Sequence, residues 1–381
     1  VIYLSLTLLT LYATSDLIGL TTSASTRPLN EKTFVPFTIT SKEQITPTAF
    51  ILTVQPSAIV SPSLLSSLLP VTSHASEPVI SAAWESGRTW SVEVKQPQLQ
   101  VAREYTPLPP LAGEGKGELR FLIRRLEKGE VSTYLSNLGP GDEISLRGPH
   151  MGFDVAHRLG EKDHVVFLAG GTGIAPALQV VNALEIEERR GKGMPRVDIV
   201  WANRSRKDCV GCQGLMSEGV LGGEVEGPIL HQLAELQRRY PGRITVRCAV
   251  DEERSFIDIH VISRAAGLPA PTSTSSTSIF GWKTKAPPPT EDEKPKTTKC
   301  WIHGQDRVML RPATETENDH CECADGRNLL FVSGPDGFIE AYAGAKRWAG
   351  GMELQGTLAG LVGELRKNYP AFGRDWLVLK L

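Results

Sequence analysis

His164-Val165-Val166-Phe167-Leu168-Ala169-Gly170-Gly171-Thr172-Gly173-Ile174-Ala175-Pro176 is the stretch on which the fold turns. Val165 to Ala169 are apolar without a break, the pattern of a strand buried on both faces rather than the alternation of a half-exposed one. Glycines behind such a strand let the backbone turn tightly and come close to a ligand, and a helix that opens there offers unpaired N–H groups to a phosphate. The spacing is not the common G-x-G-x-x-G: Pro176 stands where the third glycine would be, as an early-helix residue with fixed φ. A strand-to-helix turn needing glycine only for its geometry is the plainer reading of the same residues.

C-terminal to this stretch the same kind of run returns as VDIVWAN (197–203), ITVRCAV (244–250) and NLLFVSGP (328–335). Helical stretches separate or follow them near 175–190, 229–240, 256–266 and 336–348. A β-α-β-α series predicts a parallel sheet with helices on both faces and ligands at the carboxyl ends of its strands. Ser333-Gly334-Pro335-Asp336-Gly337-Phe338 repeats the layout of a Gly/Pro turn opening a helix, although Gly-Pro-Asp-Gly is also an ordinary turn signal.

On the N-terminal side, from Phe34 to Pro149, the pattern changes to short runs that mix apolar and polar residues between Pro/Gly turns: FVPFTIT, AFILTV, TWSVEV, LQVAREYT, ELRFLIRR and EISLRGP. Six such strands suit a small antiparallel barrel. A helix-like segment, Val131 to Leu138, interrupts the last two. In this half, Arg103-Glu104-Tyr105-Thr106-Pro107 ends a strand and Gly129-Glu130-Val131-Ser132-Thr133 enters the short helix. Arg103 suits a bidentate contact to a pyrophosphate, Tyr105 a planar ring system, and Ser132 and Thr133 hydroxyl and N–H contacts to the same phosphates. Read alone, Arg-x-Tyr-Thr is an ordinary strand end.

With 381 residues the chain is long enough for two packed cores. Its 40% apolar and 22% charged residues exclude wholly disordered, collagen-like and polytopic membrane classes. Forty-one Lys and Arg against 43 Asp and Glu leave a formal charge of -2, so no global field gathers nucleic acid. The chain opens on Val1 rather than Met, which leads us to expect residues upstream; residues 1–20 are apolar with the single charge Asp16. Residues 1–27 are therefore expected to be a membrane-anchor remnant or targeting segment with a Ser/Thr-rich spacer, or a buried helix. Two segments lack core composition: the Ser/Pro-rich insert 57–77 and the low-complexity stretch at about 269–299, the latter expected to be a disordered loop. The division that follows is a barrel domain at 28–155 and an α/β domain at 156–381. Cys209-x-x-Cys212 lies beside glycine in an expected loop, and Cys300, His303, His320, Cys321 and Cys323 have spacings loosely like a zinc site. A metal or a disulfide is the alternative; surface thiols flanking a variable insert are the plainer reading, and no metal is counted.

Taken in order, R-x-Y-T, the G-x-x-S helix start, Gly141-Asp142 with Gly148-Pro149, G-G-T-G-I-A-P and the Gly334-Pro335 turn resemble the ferredoxin-NADP reductase superfamily, cytochrome b5 reductases in particular. The resemblance covers roughly residues 34 to 370, interrupted by the inserts. Ser333 in place of the usual Cys before Gly334, the apolar leader and the ending FGRDWLVLKL look like the fungal mitochondrial flavoproteins that assist haem attachment to cytochrome c.

The resemblance implies an FAD-binding barrel followed by an NAD(P)-binding parallel sheet. Arg103 would bind the FAD pyrophosphate, Tyr105 would lie by the flavin and Thr106 near its N5, with Gly129, Ser132 and Thr133 on the phosphates. Gly171, Thr172, Gly173 and Pro176 would hold NADH or NADPH, with Thr172 close to the reacting ring, and Gly334 and Pro335 would wall the same site. Thr106 and Thr172 are thus the residues nearest the chemistry, and Trp376 is a candidate to cover the flavin. The expected function is electron transfer from NAD(P)H through flavin to a one-electron haem-type acceptor, supporting haem attachment to cytochrome c at the mitochondrial inner membrane on its intermembrane-space side. The partners would be haem or a haem protein, such as a cytochrome c precursor or its haem-attachment machinery, and the inner membrane through the N-terminal segment, with no nucleic acid. The alternatives are an NADH-cytochrome b5 reductase and a non-catalytic assembly platform that keeps the reductase fold. Nucleotide choice would fall to Asn203-Arg204-Ser205-Arg206-Lys207-Asp208, where the cations favour a 2′-phosphate and the b5 reductase likeness favours NADH.

Overall fold

The computed structural model describes residues 28–57, 74–111, 113–115, 117–222, 224–269, 326–349 and 352–381. The leader at 1–27, the centre of the first insert, the low-complexity stretch, and Cys300, His303, His320, Cys321 and Cys323 lie outside them. Contacts divide the chain into two compact units: the first runs to Val155 and takes in Leu178–Gly191, and the second holds Ala156–Ala177 and Lys192–Leu381. Among the described residues no helix is long and apolar enough to cross a membrane.

The first unit is a six-stranded antiparallel sheet built from β1 (Val35–Gln44), β2 (Ala49–Pro56), β3 (Arg88–Gln96), β4 (Val101–Tyr105), β5 (Leu119–Arg124) and β6 (Glu143–Asp154). Its order is β4-β3-β6-β1-β2-β5, and an isolated bridge between Leu108 and Arg120 draws the chain beyond β4 onto β5. The alternation read in the sequence does its work in β3, whose Trp90, Val92 and Val94 point into a core with Phe37, Phe50, Phe121 and Leu146. Period-two patterning places these side chains on one face, so a one-residue slip would expose them all. Two helices serve this core: α1 (Glu77–Glu85), through Ile80 and Ala83, and α2 (Glu130–Ser136), through Val131 and Leu135.

After the short helix α3 (Val155–Leu159), the second unit is a five-stranded parallel sheet of β7 (His164–Gly170), β8 (Arg196–Asn203), β9 (Ile244–Val250), β10 (Asn328–Ser333) and β13 (Trp376–Lys380), ordered β13-β10-β7-β8-β9. Its helices are α4 (Ile174–Arg189), α5 (Pro228–Arg239), α6 (Ile259–Ala265), α7 (Asp336–Ala343), α8 (Gly360–Asn368) and α9 (Pro370–Asp375); α4 begins here and continues into the first unit. Burial along β7 and β10 is continuous, as their unbroken apolar runs require.

Three readings are corrected. The last expected helix stops at Ala343 instead of Trp348, because Gly344 takes φ 84° and turns the chain into the hairpin β11 (Arg347–Ala349) and β12 (Met352–Leu354). The helix expected from Phe256 starts at Ile259, where the Asp258 carboxylate accepts the Val261 N–H at 2.8 Å and caps it. Trp376, the candidate flavin cover, is a core residue of the second unit: as first residue of β13 it lies at the amino end of the sheet, buried, stacked on Phe372 at 5.6 Å and edge-on to His164 at 5.0 Å.

The same amino end holds a buried charge. Asp198 on β8 is fully buried and accepts from Arg196 Nε at 2.7 Å, Thr245 Oγ1 at 2.7 Å and Arg247 Nη1 at 3.2 Å, with His164 Nε2 at 3.0 Å. Burial opposes its ionisation, but the hydrogen bonds from His164, Arg196 and Thr245 and the Arg196 charge outweigh burial and hold the carboxyl well below the usual range.

Candidate functional site

In the first unit β4 is an edge strand, so its end is open on one side, and α2 begins beside it. Arg103 on β4 is exposed and reaches Glu130, the first residue of α2, at 3.7 Å. An exposed ion pair at that distance is worth less than about 1 kcal/mol, so the guanidinium is cheaply released to a phosphate. Tyr105 packs edge-on against Phe121 at 6.5 Å, and burial pushes its phenol up to about 12, so it stays protonated and can donate at neutral pH. Thr106 follows, half-buried, its hydroxyl without a hydrogen bond among the described residues.

The helix entrance is a closed turn. A Cβ on Gly129 would stand 2.5 Å from Ser132 Oγ and 3.0 Å from Leu126 Cβ, so a larger residue there would push the Ser132 hydroxyl out of the turn. Ser132 is buried and its hydroxyl is already used: it accepts from Leu126 N at 3.1 Å and donates to Gly129 O at 3.2 Å. The Ser132 hydroxyl is thus engaged within the turn, whereas Thr133 is exposed. An exposed arginine with a weak partner, a glycine without side chain and a protonated phenol fit a diphosphate joined to a planar ring.

Gln179, which the sequence reading passes over, holds the other side of this segment. It is buried on α4, accepts the Trp90 N–H at 2.9 Å and donates to Pro107 O at 3.1 Å, fixing the residue after Thr106. A polar residue on an otherwise apolar helix face is the signal that marks it.

In the second unit β7 runs into a 3-10 turn, Gly171–Gly173, before α4. Gly171 takes φ 53°, and Trp201 Nε1 donates to its carbonyl at 2.8 Å. β7 and β10 are neighbours with Ala169 opposite Ser333, so the turns behind them meet. A Cβ on Gly173 would stand 2.2 Å from Ser333 O, and one on Gly170 would stand 2.8 Å from the Phe338 ring. Gly173 is thus held to glycine by the backbone of the second turn, whereas Gly170 meets only a side chain, and Thr172 remains half-exposed with a hydroxyl that makes no hydrogen bond among the described residues. Pro176 lies in the first turn of α4; Gly334 (φ 153°) and Pro335 lead into α7. The structure so brings Gly171, Thr172 and Gly173 together with Gly334 at the carboxyl end of the sheet.

The cations behind β8 are partly spent. Arg206 pairs with Glu253 through two nitrogens and donates to Cys212 O at 2.8 Å, while Glu252 accepts from Ser205 Oγ at 3.1 Å. The acidic triplet Asp251-Glu252-Glu253 behind β9 is the sequence signal for this pairing. The cysteine reading is also corrected: Cys209 and Cys212 are buried, not surface thiols, and Cys212 forms a disulfide with Cys248 of β9. Packing of the 204–226 loop over β9 brings these residues together, which spacing alone does not reveal. Among the described residues no group of three metal-ligating side chains occurs.

Comparison with known proteins gives the class: residues 81–155, which include Arg103 to Thr106 and Gly129 to Thr133, match the oxidoreductase FAD-binding domain. Three curated relatives narrow it. An NADH-cytochrome b5 reductase 1 of Pyricularia oryzae is 35% identical over 109 residues, 29% of this chain and 34% of its own. An uncharacterized FAD-binding protein of Schizosaccharomyces pombe is 30% identical over 177 residues, 46% of this chain and 53% of its own. The cytochrome c mitochondrial import factor CYC2 of Saccharomyces cerevisiae is 40% identical over 81 residues, 18% of this chain and 22% of its own. The chain thus has NADH-cytochrome b5 reductases among its homologues, and it spans between about a fifth and about half of the length of these relatives.

Proposed function

We propose that the protein is an FAD-dependent oxidoreductase that takes electrons from NADH or NADPH and passes them to a one-electron haem-type acceptor, in support of haem attachment to mitochondrial cytochrome c. The observation that carries this reading is the meeting of Arg103, Tyr105 and the Gly129 turn at one end of β4, inside the segment that matches the FAD-binding domain. When bound, FAD supplies a two-electron acceptor that can return electrons singly. The chain's residues supply placement: Arg103 neutralises the diphosphate, Gln179 and Pro107 fix the strand end, and Tyr105 presents a protonated phenol. Gly171, Thr172 and Gly173, with Pro176, Gly334 and Pro335, form the surface offered to the nicotinamide nucleotide. Thr106 and Thr172 keep free hydroxyls for the reacting rings. Roles for residues 1–27 as an anchor in the inner membrane, for the barrel domain at 28–155 and for the α/β domain at 156–381 belong to the same proposal.

The name of the CYC2 relative supports a mitochondrial setting, and the Cys212–Cys248 disulfide supports the oxidising, intermembrane-space side, since such bonds are rare in reducing compartments. The test is purification of the full chain, measurement of flavin absorbance, and NADH- or NADPH-driven reduction of free haem, cytochrome b5 and a cytochrome c precursor. Reduction of haem or the precursor supports the reading, reduction of cytochrome b5 alone assigns a b5 reductase, and a preparation that neither holds FAD nor oxidises nucleotide overturns it.

Two variants sharpen the test. Arg103→Ala is expected to weaken FAD binding about tenfold to a hundredfold, the worth of a charged hydrogen bond, with unchanged thermal unfolding of the apoprotein; titration of apoprotein with FAD measures it. Glu253→Gln is expected to release Arg206 and lower the KM for NADPH about twofold to fivefold relative to NADH, the scale of an exposed ion pair.

A further inference from the structure

Three cysteines of the second unit lie on the loop after β8 and on β9. Cys212 is bonded to Cys248 of β9 with 6.0 Å between their Cα atoms, and Cys209 lies three residues before Cys212. The Cys212 N–H donates to Cys209 O at 3.1 Å, which closes a tight turn and holds these two residues at a separation that a disulfide also tolerates. All three are buried, and Cys209 alone keeps a free thiol among the described residues. Arg206 donates to the Cys209 sulfur at 3.9 Å and to the Cys212 carbonyl at 2.8 Å, so a cation already stands at the turn.

We infer that Cys209, Cys212 and Cys248 form a thiol–disulfide exchange site in which Cys212 is shared between two partners. In the exchange Cys209 gives up its proton and its sulfur forms a bond to Cys212; the Cys212–Cys248 bond breaks, and Cys248 leaves with the bonding pair and takes a proton. Nothing is oxidised or reduced overall, so no outside reagent is needed. In one state the 209–212 turn is tied covalently to β9; in the other Cys212 is bonded only to Cys209, and the loop keeps to β9 through hydrogen bonds such as Cys248 N–H to Gln213 O at 2.8 Å and Val246 N–H to Gly219 O at 2.8 Å. Because Arg206 is bonded to that turn, the exchange also moves the residues that follow β8.

The chemistry sets its own rate law. Burial pushes the Cys209 thiol up to about 11, against the opposing charge of Arg206 and with Asp208 and Glu253 adding to the rise; Asn203 stands beside it. Only the thiolate attacks, so the exchange is slow at neutral pH and its rate rises about tenfold per pH unit toward pH 10.

The experiment uses the full chain without added cofactor or nucleotide. Acid quenching, alkylation in denaturant and peptide mapping identify which sulfurs are bonded. In wild type incubated at pH 9 the expected result is two populations, Cys212–Cys248 with Cys209 alkylated and Cys209–Cys212 with Cys248 alkylated, the second forming faster at higher pH. In Cys248→Ser incubated with oxidised glutathione, which takes up the two electrons, the expected bond is Cys209–Cys212, and in Cys209→Ser the bond among these three positions stays Cys212–Cys248. Should Cys248→Ser fail to fold, the wild-type mapping decides by itself. If Cys209 is alkylated in every wild-type molecule at every pH, the exchange does not occur and the disulfide is purely structural. None of these readouts involves flavin, so they stand apart from the proposed oxidoreductase activity.

Discussion

Asp198→Ala is expected to destabilise the second unit by about 3–5 kcal/mol, the cost of removing one partner from a buried ionic cluster. The loss exceeds that of an ordinary polar contact because Arg247, itself buried, keeps its charge, while Arg196 and Thr245 keep donors that lose their acceptor. Asp198→Asn retains the shape and one acceptor oxygen but sets an amide N–H against these donors, so it is expected to lose less. Urea unfolding followed by tryptophan fluorescence measures both; Asp198→Ala within about 1 kcal/mol of wild type would show that the cluster contributes little.

The same carboxylate predicts a pH dependence. Its folded-state pKa is depressed, so its contribution is complete above the unfolded value of about 4 and is withdrawn as the pH falls below that. Wild type should therefore lose stability steeply below about pH 4, and Asp198→Asn should show a shallower slope over the same interval. Parallel slopes would assign acid unfolding to other carboxylates.

What could be read before the structure follows from how each element is held. Strands buried on both faces, β7 to β10, are visible because a nearly continuous apolar run of this length needs cover above and below the sheet, and the six barrel strands because Pro/Gly turns separate them. β13 is the same kind of strand, but WLVLK is a run of only 5 residues, too short to stand out by its apolar pattern alone. The helix α1 hides behind a Ser/Pro-rich insert. At the candidate site, local backbone demands are legible: glycine at 129, 171 and 173, arginine and tyrosine at 103 and 105. The partners that restrain these residues are not, since Gln179 is 72 residues from Pro107 and Glu253 is 47 from Arg206. Chain separation of this kind is settled only by topology, and so is the pairing of Cys212 with Cys248.

Gly173→Ala tests the junction of the two turns directly. The added methyl would stand 2.2 Å from Ser333 O, 2.6 Å from Ser333 C and 2.9 Å from Gly334 N, all of them backbone. Ser333 is paired to β7 through Ala169, so its carbonyl cannot retreat without breaking the β7–β10 ladder. Relief must come from displacing the Gly171–Gly173 turn, and the expected cost is about 3 kcal/mol, at the upper end for overpacking. Gly170→Ala meets only the Phe338 ring, at 2.8 Å, and a side chain can rotate away; about 1 kcal/mol is expected there. The comparison separates a clash with backbone from one with a side chain at positions three residues apart. Under the proposed function, Gly173→Ala should also lose NADH affinity by calorimetric titration while the barrel keeps its flavin absorbance. Equal urea midpoints for Gly173→Ala and wild type would mean that the two turns are not held against each other, and the nucleotide surface assigned to them would lose its support.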